Sequence, residues 1–147
     1  MKKETATHYR KSIIALLISE KLPVADLPQT LDNFIVTLQG DKLTGVAGLE
    51  ISGLYGLLRS LAVEKAFRNQ GIANQLLSKI ERLAISNQVT EIYLLTETAS
   101  NYFIKKGFQH ITRDEVPAEI QQTSLFSKIC PQSAIVMKKQ ITNNNEC

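Results

Sequence analysis

The stretch L-L-R-S-L-A-V at residues 57–63, followed a few positions later by R-N-Q-G-I-A at 68–73, decides the fold. The first run is apolar and strand-like, and the second opens a helix predicted over Gly71 to Ser86. Ile72, Leu76, Ile80 and Leu83 fall on one helical stripe there, with Lys79, Glu81 and Arg82 off it. A glycine between strand and helix lets the backbone come close to a ligand. The small Ala73 leaves the first turn unobstructed, so its free N–H groups point outward with the positive end of the helix dipole. Such a terminus is an anion site suited to a phosphate or pyrophosphate. An ordinary helix start after a glycine is the alternative reading of the six residues alone.

Outward from this juncture, Ile92–Leu95 reads as a short strand covered on both faces. Ala99 to Lys106 is a second helix, closed by Gly107 in a left-handed cap, and Phe108 to Thr112 begins another strand. A polar, helical stretch from Glu115 to Ser127 precedes a last strand, Ser133 to Lys139, and a frayed tail, Thr142 to Cys147. Upstream, Thr7 to Lys21 is predicted helical, Pro23 and Pro28 break the chain, and Asn33–Gln39, Leu43–Ser52 and Tyr55–Val63 form three consecutive strands. A meander that leads into strand–helix–strand–helix–strand is a mixed α/β fold with helices on both faces, expected as one domain over residues 1–147.

Composition narrows the function classes. The 147 residues are 44% hydrophobic and 21% charged with a net charge of +3, the balance of an ordinary globular chain. That mild charge suits an anionic small ligand but lacks the concentrated basic face of a nucleic-acid binder. Cys130 and Cys147 show no repeated spacing and read as reduced thiols in a cytoplasmic protein. With His8 and His110 they offer no metal site. Lys2 and Lys3 ahead of the apolar run 13–18 imitate a secretory leader, but Glu20 and Lys21 follow without a small-residue cleavage site. No run reaches membrane-spanning length.

In this setting the juncture resembles the GNAT superfamily of N-acetyltransferases. The pattern is arginine or glutamine, two residues, glycine, one residue, then glycine or alanine, here Arg68, Gly71 and Ala73. The strand at Leu61–Val63, the strand 92–95 and the helix ending in K-K-G-F extend the likeness over about residues 8–139. The runs 57–63, Y-L-L-T-E-T-A at 93–99, R-D-E-V-P at 113–117 and C-P-Q-S-A-I-V-M at 130–137 are similar to acetyltransferases encoded with arsenic-resistance functions. More distantly, the region resembles amino-acid N-acetyltransferases such as the acetyltransferase domain of N-acetylglutamate synthase.

The resemblance implies a mostly antiparallel mixed sheet whose parallel strands 4 and 5 splay apart to admit the pantetheine arm of acetyl-CoA, with no metal. By matched position the backbone of Leu61, Ala62 and Val63 holds that arm, and the Val63 N–H faces the thioester oxygen. Arg68, Asn69, Gln70, Gly71, Ile72 and Ala73 cradle the pyrophosphate. Thr96 takes a position often held by asparagine. Phe103 stands where many members carry a tyrosine acid, and Tyr102 beside it is turned about 100° around the helix as a packing or rim residue. Two carboxylates are candidate bases, Glu50 and Glu97, the latter nearer the predicted splay. Arg59 is the candidate grip for an acceptor's oxyanion, the alternative being an exposed cross-strand ion pair. Alternation along the strand puts Arg59 on the same face as Leu61. Ser60 and Ser133 add hydroxyls; the arginine that amino-acid acetyltransferases carry two residues before Ser133 is Pro131 here.

The expected activity is acetyl transfer to the amine of a small amino-acid-like acceptor, including organoarsenical or phosphinate mimics of glutamate, by a monomer or homodimer. A non-catalytic acetyl-CoA-binding module and a protein N-acetyltransferase are the other readings.

Overall fold

The described residues open with a 3-10 turn, Ala6–Tyr9, that passes into helix α1, Arg10–Ser19. The helix is shorter than the predicted span, and Glu20 caps it before Lys21 turns to φ 60°. Three runs of branched and apolar residues then make an antiparallel meander of β1 (Phe34–Gln39), β2 (Lys42–Ser52) and β3 (Tyr55–Val63). From β3 the chain crosses through α2 (Ile72–Ser86) to β4 (Glu91–Thr96), then through α3 (Ser100–Lys105) to β5 (Gln109–Ile111). A short helix α4 (Ala118–Gln121) leads toward β6 (Ile135–Gln140), which inserts between β4 and β5. The six strands are ordered β1-β2-β3-β4-β6-β5 in this computed structural model, which describes residues 6–129 and 133–141. Lys2, Lys3, Cys130, Pro131 and the tail from Thr142 lie outside the described residues.

Among the described residues, only β3 and β4 run parallel. They are the expected parallel pair, third and fourth along this chain. The predicted helical stretch 115–127 is instead broken into a 3-10 turn at Arg113–Glu115, α4, and a wide turn at Leu125–Ile129. Local side-chain bonds compete with a continuous helix there. Thr112 and Glu115 close a capping box, and the Thr123 hydroxyl donates to the Ile120 carbonyl while accepting the Phe126 N–H.

Each face of the sheet carries its own apolar layer. Leu76, Leu77, Ile80 and Ala84 of α2 pack with Leu49, Leu58, Ile92 and Leu94; Leu83, predicted on the stripe, is only half-buried at its margin. On the other face Ile13, Leu16 and Leu17 of α1 meet Val46 and Ala62, and Val116 and Ile120 meet Leu57 and Tyr93.

Strand β3 does not keep its phase. The β2–β3 register steps from Gly48↔Arg59 to Val46↔Ala62, so Ser60 and Leu61 together face the single residue Ala47. Ser60 adopts φ 61°, making the extra residue of a β-bulge. Before it, Leu57 belongs to the α4 side and Leu58 to the α2 side; after it, Leu61 and Val63 lie on the α2 side and Ala62 on the α1 side. Arg59 follows Leu57 and points at Asp26 in the loop after α1, so it and Leu61 lie on opposite faces, contrary to simple alternation.

The meander is close-packed at Gly48, where a Cβ would stand 2.6 Å from the buried Phe34 ring. Gly48→Ala is expected to destabilise the fold by about 1–3 kcal/mol, the usual cost of overpacking, read as a lower midpoint in urea without a change of slope.

Candidate functional site

The parallel ladder between β3 and β4 consists of Tyr55↔Glu91, Gly56↔Ile92 and Leu57↔Tyr93, and stops there. Beyond it β4 stays paired with β6 as far as Thr96↔Ile135, and β3 stays paired with β2 as far as Gly45↔Val63. Each strand is held by its outer neighbour while the inner edges part. The gap is a cavity of about 630 Å³, walled by Leu58–Val63 on one side and Leu94–Thr96 on the other. Unpaired strand edges offer backbone donors and acceptors to an extended ligand, as strand addition requires.

The expected anion loop forms the mouth of that cavity. Gly71 caps α2 at φ 81°, and Asn69, the residue type other than glycine most tolerant of this region, stands at φ 66°. The first intrahelical bond runs from the Gln75 N–H to the Gly71 carbonyl at 3.0 Å, and no side chain caps the terminus. The N–H groups of Ile72, Ala73 and Asn74 precede that bond and are available to an anion. A Cβ on Gly71 would meet nothing within 4 Å, so glycine serves the backbone angle there and leaves room for a ligand. Five of the six residues from Arg68 to Ala73 line the cavity; the exposed Gln70 does not. Arg68 is half-exposed at the rim, where Nη2 pairs with Glu20 at 2.5 Å and Nε donates to the Val63 carbonyl at 3.4 Å.

The remaining expected residues divide. Thr96 lines the cavity, and its hydroxyl accepts the Ala99 N–H at 3.0 Å, shaping the turn into α3. Phe103 is buried on the cavity wall, edge-on to Tyr102 at 5.2 Å and to Phe108 at 5.5 Å. Tyr102 stands at the rim and donates from its hydroxyl to Asn74 Oδ1 at 2.8 Å, and burial pushes its pKa above the usual tyrosine value. Glu97 is exposed and does not line the cavity, although Thr96 and Thr98 do. Ser133 is likewise exposed and outside it.

Arg59 is not the exposed ion pair considered as its alternative. Its side chain is 1% exposed and meets two carboxylates. Nη1 lies 2.7 Å from Asp26 Oδ2 and 2.7 Å from Glu50 Oε2, Nη2 lies 2.8 Å from Asp26 Oδ1, and Nε donates to Ser60 Oγ at 3.1 Å. Burial would lower the Arg59 pKa, but the hydrogen bonds to Asp26 and Glu50 and their charges outweigh it and raise it. Sequence reasoning reached Arg59, Ser60 and Glu50 but missed Asp26, which lies 33 positions away in a loop without a motif. It also missed Asn74 and Glu20. Among the described residues no cluster of ligating side chains could hold a metal. No helix among them is long and apolar enough to cross a membrane.

Known proteins share this fold. The acetyltransferase (GNAT) domain family matches residues 30–110, more than half of the chain. A curated relative, the uncharacterized N-acetyltransferase CT2212 of Chlorobaculum tepidum, is 36% identical over 63 residues, covering 43% of this chain and 40% of its own length. Among solved structures, N-acetylglutamate synthase of Neisseria gonorrhoeae, complexed with coenzyme A and N-acetyl-glutamate, superposes with a TM-score of 0.81 at 18% identity. That match covers 96% of this chain but 35% of the synthase. Rv2747 of Mycobacterium tuberculosis, in complex with CoA and NLQ, gives 0.77 at 19% identity over 95% of this chain and 98% of its own. A GNAT-family acetyltransferase of Staphylococcus aureus Mu50 gives 0.74 at 19% identity, covering 92% and 94%. The solved structures share the fold, and the match over residues 30–110, which takes in the parted strands and the loop between them, shows that the chain belongs to the GNAT acetyltransferase domain family.

Proposed function

We propose that the chain is an acetyl-CoA-dependent N-acetyltransferase acting on the primary amine of a small amino-acid-like acceptor, organoarsenical and phosphinate mimics of glutamate included. The observation that carries this reading is the cavity between β3 and β4 with an uncapped helix N-terminus at its mouth. It fits the co-substrate by chemistry: an amide-bearing arm against free strand edges, a pyrophosphate against outward N–H groups. The complexes of two fold relatives with CoA, and of one with N-acetyl-glutamate, support both the donor and the acceptor class. The sparse cysteines fit a cytoplasmic location.

Acetyl-CoA supplies an activated thioester. Ile72, Ala73 and Asn74 would bind its phosphates through their N–H groups, and Leu61 and Val63 would orient the arm along β3. Val63 lines the cavity wall, and its N–H would stabilise oxyanion charge as the amine attacks. In that attack a C–N bond forms and the C–S bond breaks. The amine nitrogen gives up a proton, and the sulfur leaves as thiolate. Glu50, half-buried and paired with Arg59, and the exposed Glu97 are the two candidate carboxylates to receive that proton through water, and neither lines the cavity itself. Phe103 has no proton to return, so the thiolate leaves with help from water or without a dedicated acid.

Acetyl-CoA-dependent thiol release over a panel of α-amino acids and their phosphinate and arsinate analogues tests the activity. Acceptor-dependent release supports it, whereas CoA binding with no release across the panel would favour the binding-module reading. Ala73→Glu places a negative charge among the first-turn N–H groups. It is expected to weaken CoA binding about tenfold or more, ~1.4 kcal/mol, while the melting temperature holds or rises, because an acid suits a helix N-terminus. Tyr102→Phe should leave kcat within about threefold, since loss of a true general acid costs on the order of 10²–10⁴. With the Tyr102 pKa raised, kcat should also show no descending limb from that group below about pH 10.

A further inference from the structure

Arg59 stands between two cavities. It lines the gap between β3 and β4, and its partners Asp26 and Glu50 line a second cavity of about 400 Å³. Asp26 takes both terminal nitrogens of the guanidinium, at 2.7 and 2.8 Å, the two-point geometry with which an arginine fork receives a free carboxylate. The segment that carries it is tied down on either side. The Leu22 N–H reaches the Leu17 carbonyl at 2.9 Å, the Pro28 carbonyl accepts from Arg10 at 2.6 Å, and the Leu31 N–H donates to the Thr7 hydroxyl at 2.8 Å. Between these ties the backbone bond is one, from the Leu27 N–H to the Val24 carbonyl at 3.2 Å. Asp26 is therefore the polar hold on residues 23–27.

We infer that Asp26 is a displaceable internal carboxylate, which occupies the Arg59 fork until the oxyanion of the acceptor takes its place. This rests on the proposed acceptor class. Glu50 keeps its own contact with Nη1 at 2.7 Å, so the buried guanidinium retains a counter-charge throughout the exchange. An acceptor that carries a carboxylate, phosphinate or arsonate group releases the segment, and an amine without one leaves it closed. Asp26 thereby sets specificity. Because the fork is open to ligand for only a fraction of the time, the apparent affinity for an oxyanion is reduced by that fraction.

The test uses L-glutamate as probe on the CoA-loaded protein. By calorimetry, Asp26→Asn should bind glutamate about tenfold or more tightly than wild type. Asp32→Asn, which removes a charge from the same cavity without touching Arg59, should leave the affinity unchanged. In the wild-type protein, glutamate should shift the Arg59 Nε–Hε resonance and the Asp26 backbone amide with one midpoint. Unchanged or weaker binding in Asp26→Asn with CoA binding intact overturns the inference. So does an equal gain in Asp32→Asn, or an Arg59 shift that leaves the Asp26 amide in place. If Asp26→Asn fails to bind CoA, the wild-type titration decides. Acetylation of n-butylamine by a protein that binds no glutamate in either form would leave the transferase standing and overturn the displacement alone.

Discussion

Everything at the site depends on two parallel strands that must pair at one end and part at the other. Three residue pairs join β3 to β4, and neither strand then follows the other, because β2 holds one and β6 holds the other over their full lengths. Open edges inside a sheet ordinarily cost unsatisfied backbone groups. Here they are the wall of a cavity, and the cost is tolerated where a ligand can make up the missing bonds. The bulge at Ser60 re-aims β3 at the point where it leaves β4, and the price of a serine at φ 61°, about 1–2 kcal/mol, sits in the same place.

Much of this architecture was legible from local chemistry. The α2 stripe, the glycine that opens the helix, the buried run Ile92–Leu94 and the Gly107 closure of α3 each follow from periodicity or from a backbone angle that one residue type favours. What was not legible is non-local. Nothing in P-V-A-D-L-P at residues 23–28 marks Asp26 as a partner of Arg59, because the pairing is created when α1 packs against β2 and β3. The bulge was equally hidden. Its serine carries no turn signature, and without it the alternation rule assigns Arg59 the wrong neighbours. The break-up of residues 115–127 was missed because Thr112 and Thr123 act through hydroxyl bonds that periodicity does not register.

The electrostatics of the site are asymmetric. At the mouth of the cavity, positive character comes from oriented N–H groups and from Arg68, which is half-exposed and shared with Glu20. Beside the loop that carries Asp26 it comes from one buried guanidinium already balanced by two carboxylates. Dipolar groups at the first location need no counter-ion and suit a ligand that comes and goes. A desolvated cation at the second cannot be left bare, since stripping a buried charge of its partner costs about 3–5 kcal/mol.

The bulge in β3 divides one strand into two half-strands of opposite phase, one ending at Arg59 and the other beginning at Leu61. Ser60 is therefore the residue of β3 that the alternation passes over. Deleting Ser60 makes Arg59 and Leu61 adjacent, and plain alternation then keeps them on the opposite faces they occupy now, with Val63 still under α2. Most insertions and deletions in such a domain fall harmlessly in surface turns such as the one at Gly40. The loss of one residue at position 60 is of the same kind although it lies inside a strand, since both half-strands keep their faces, whereas the same loss at Leu58 or Ala62 inverts the inside and outside of one half.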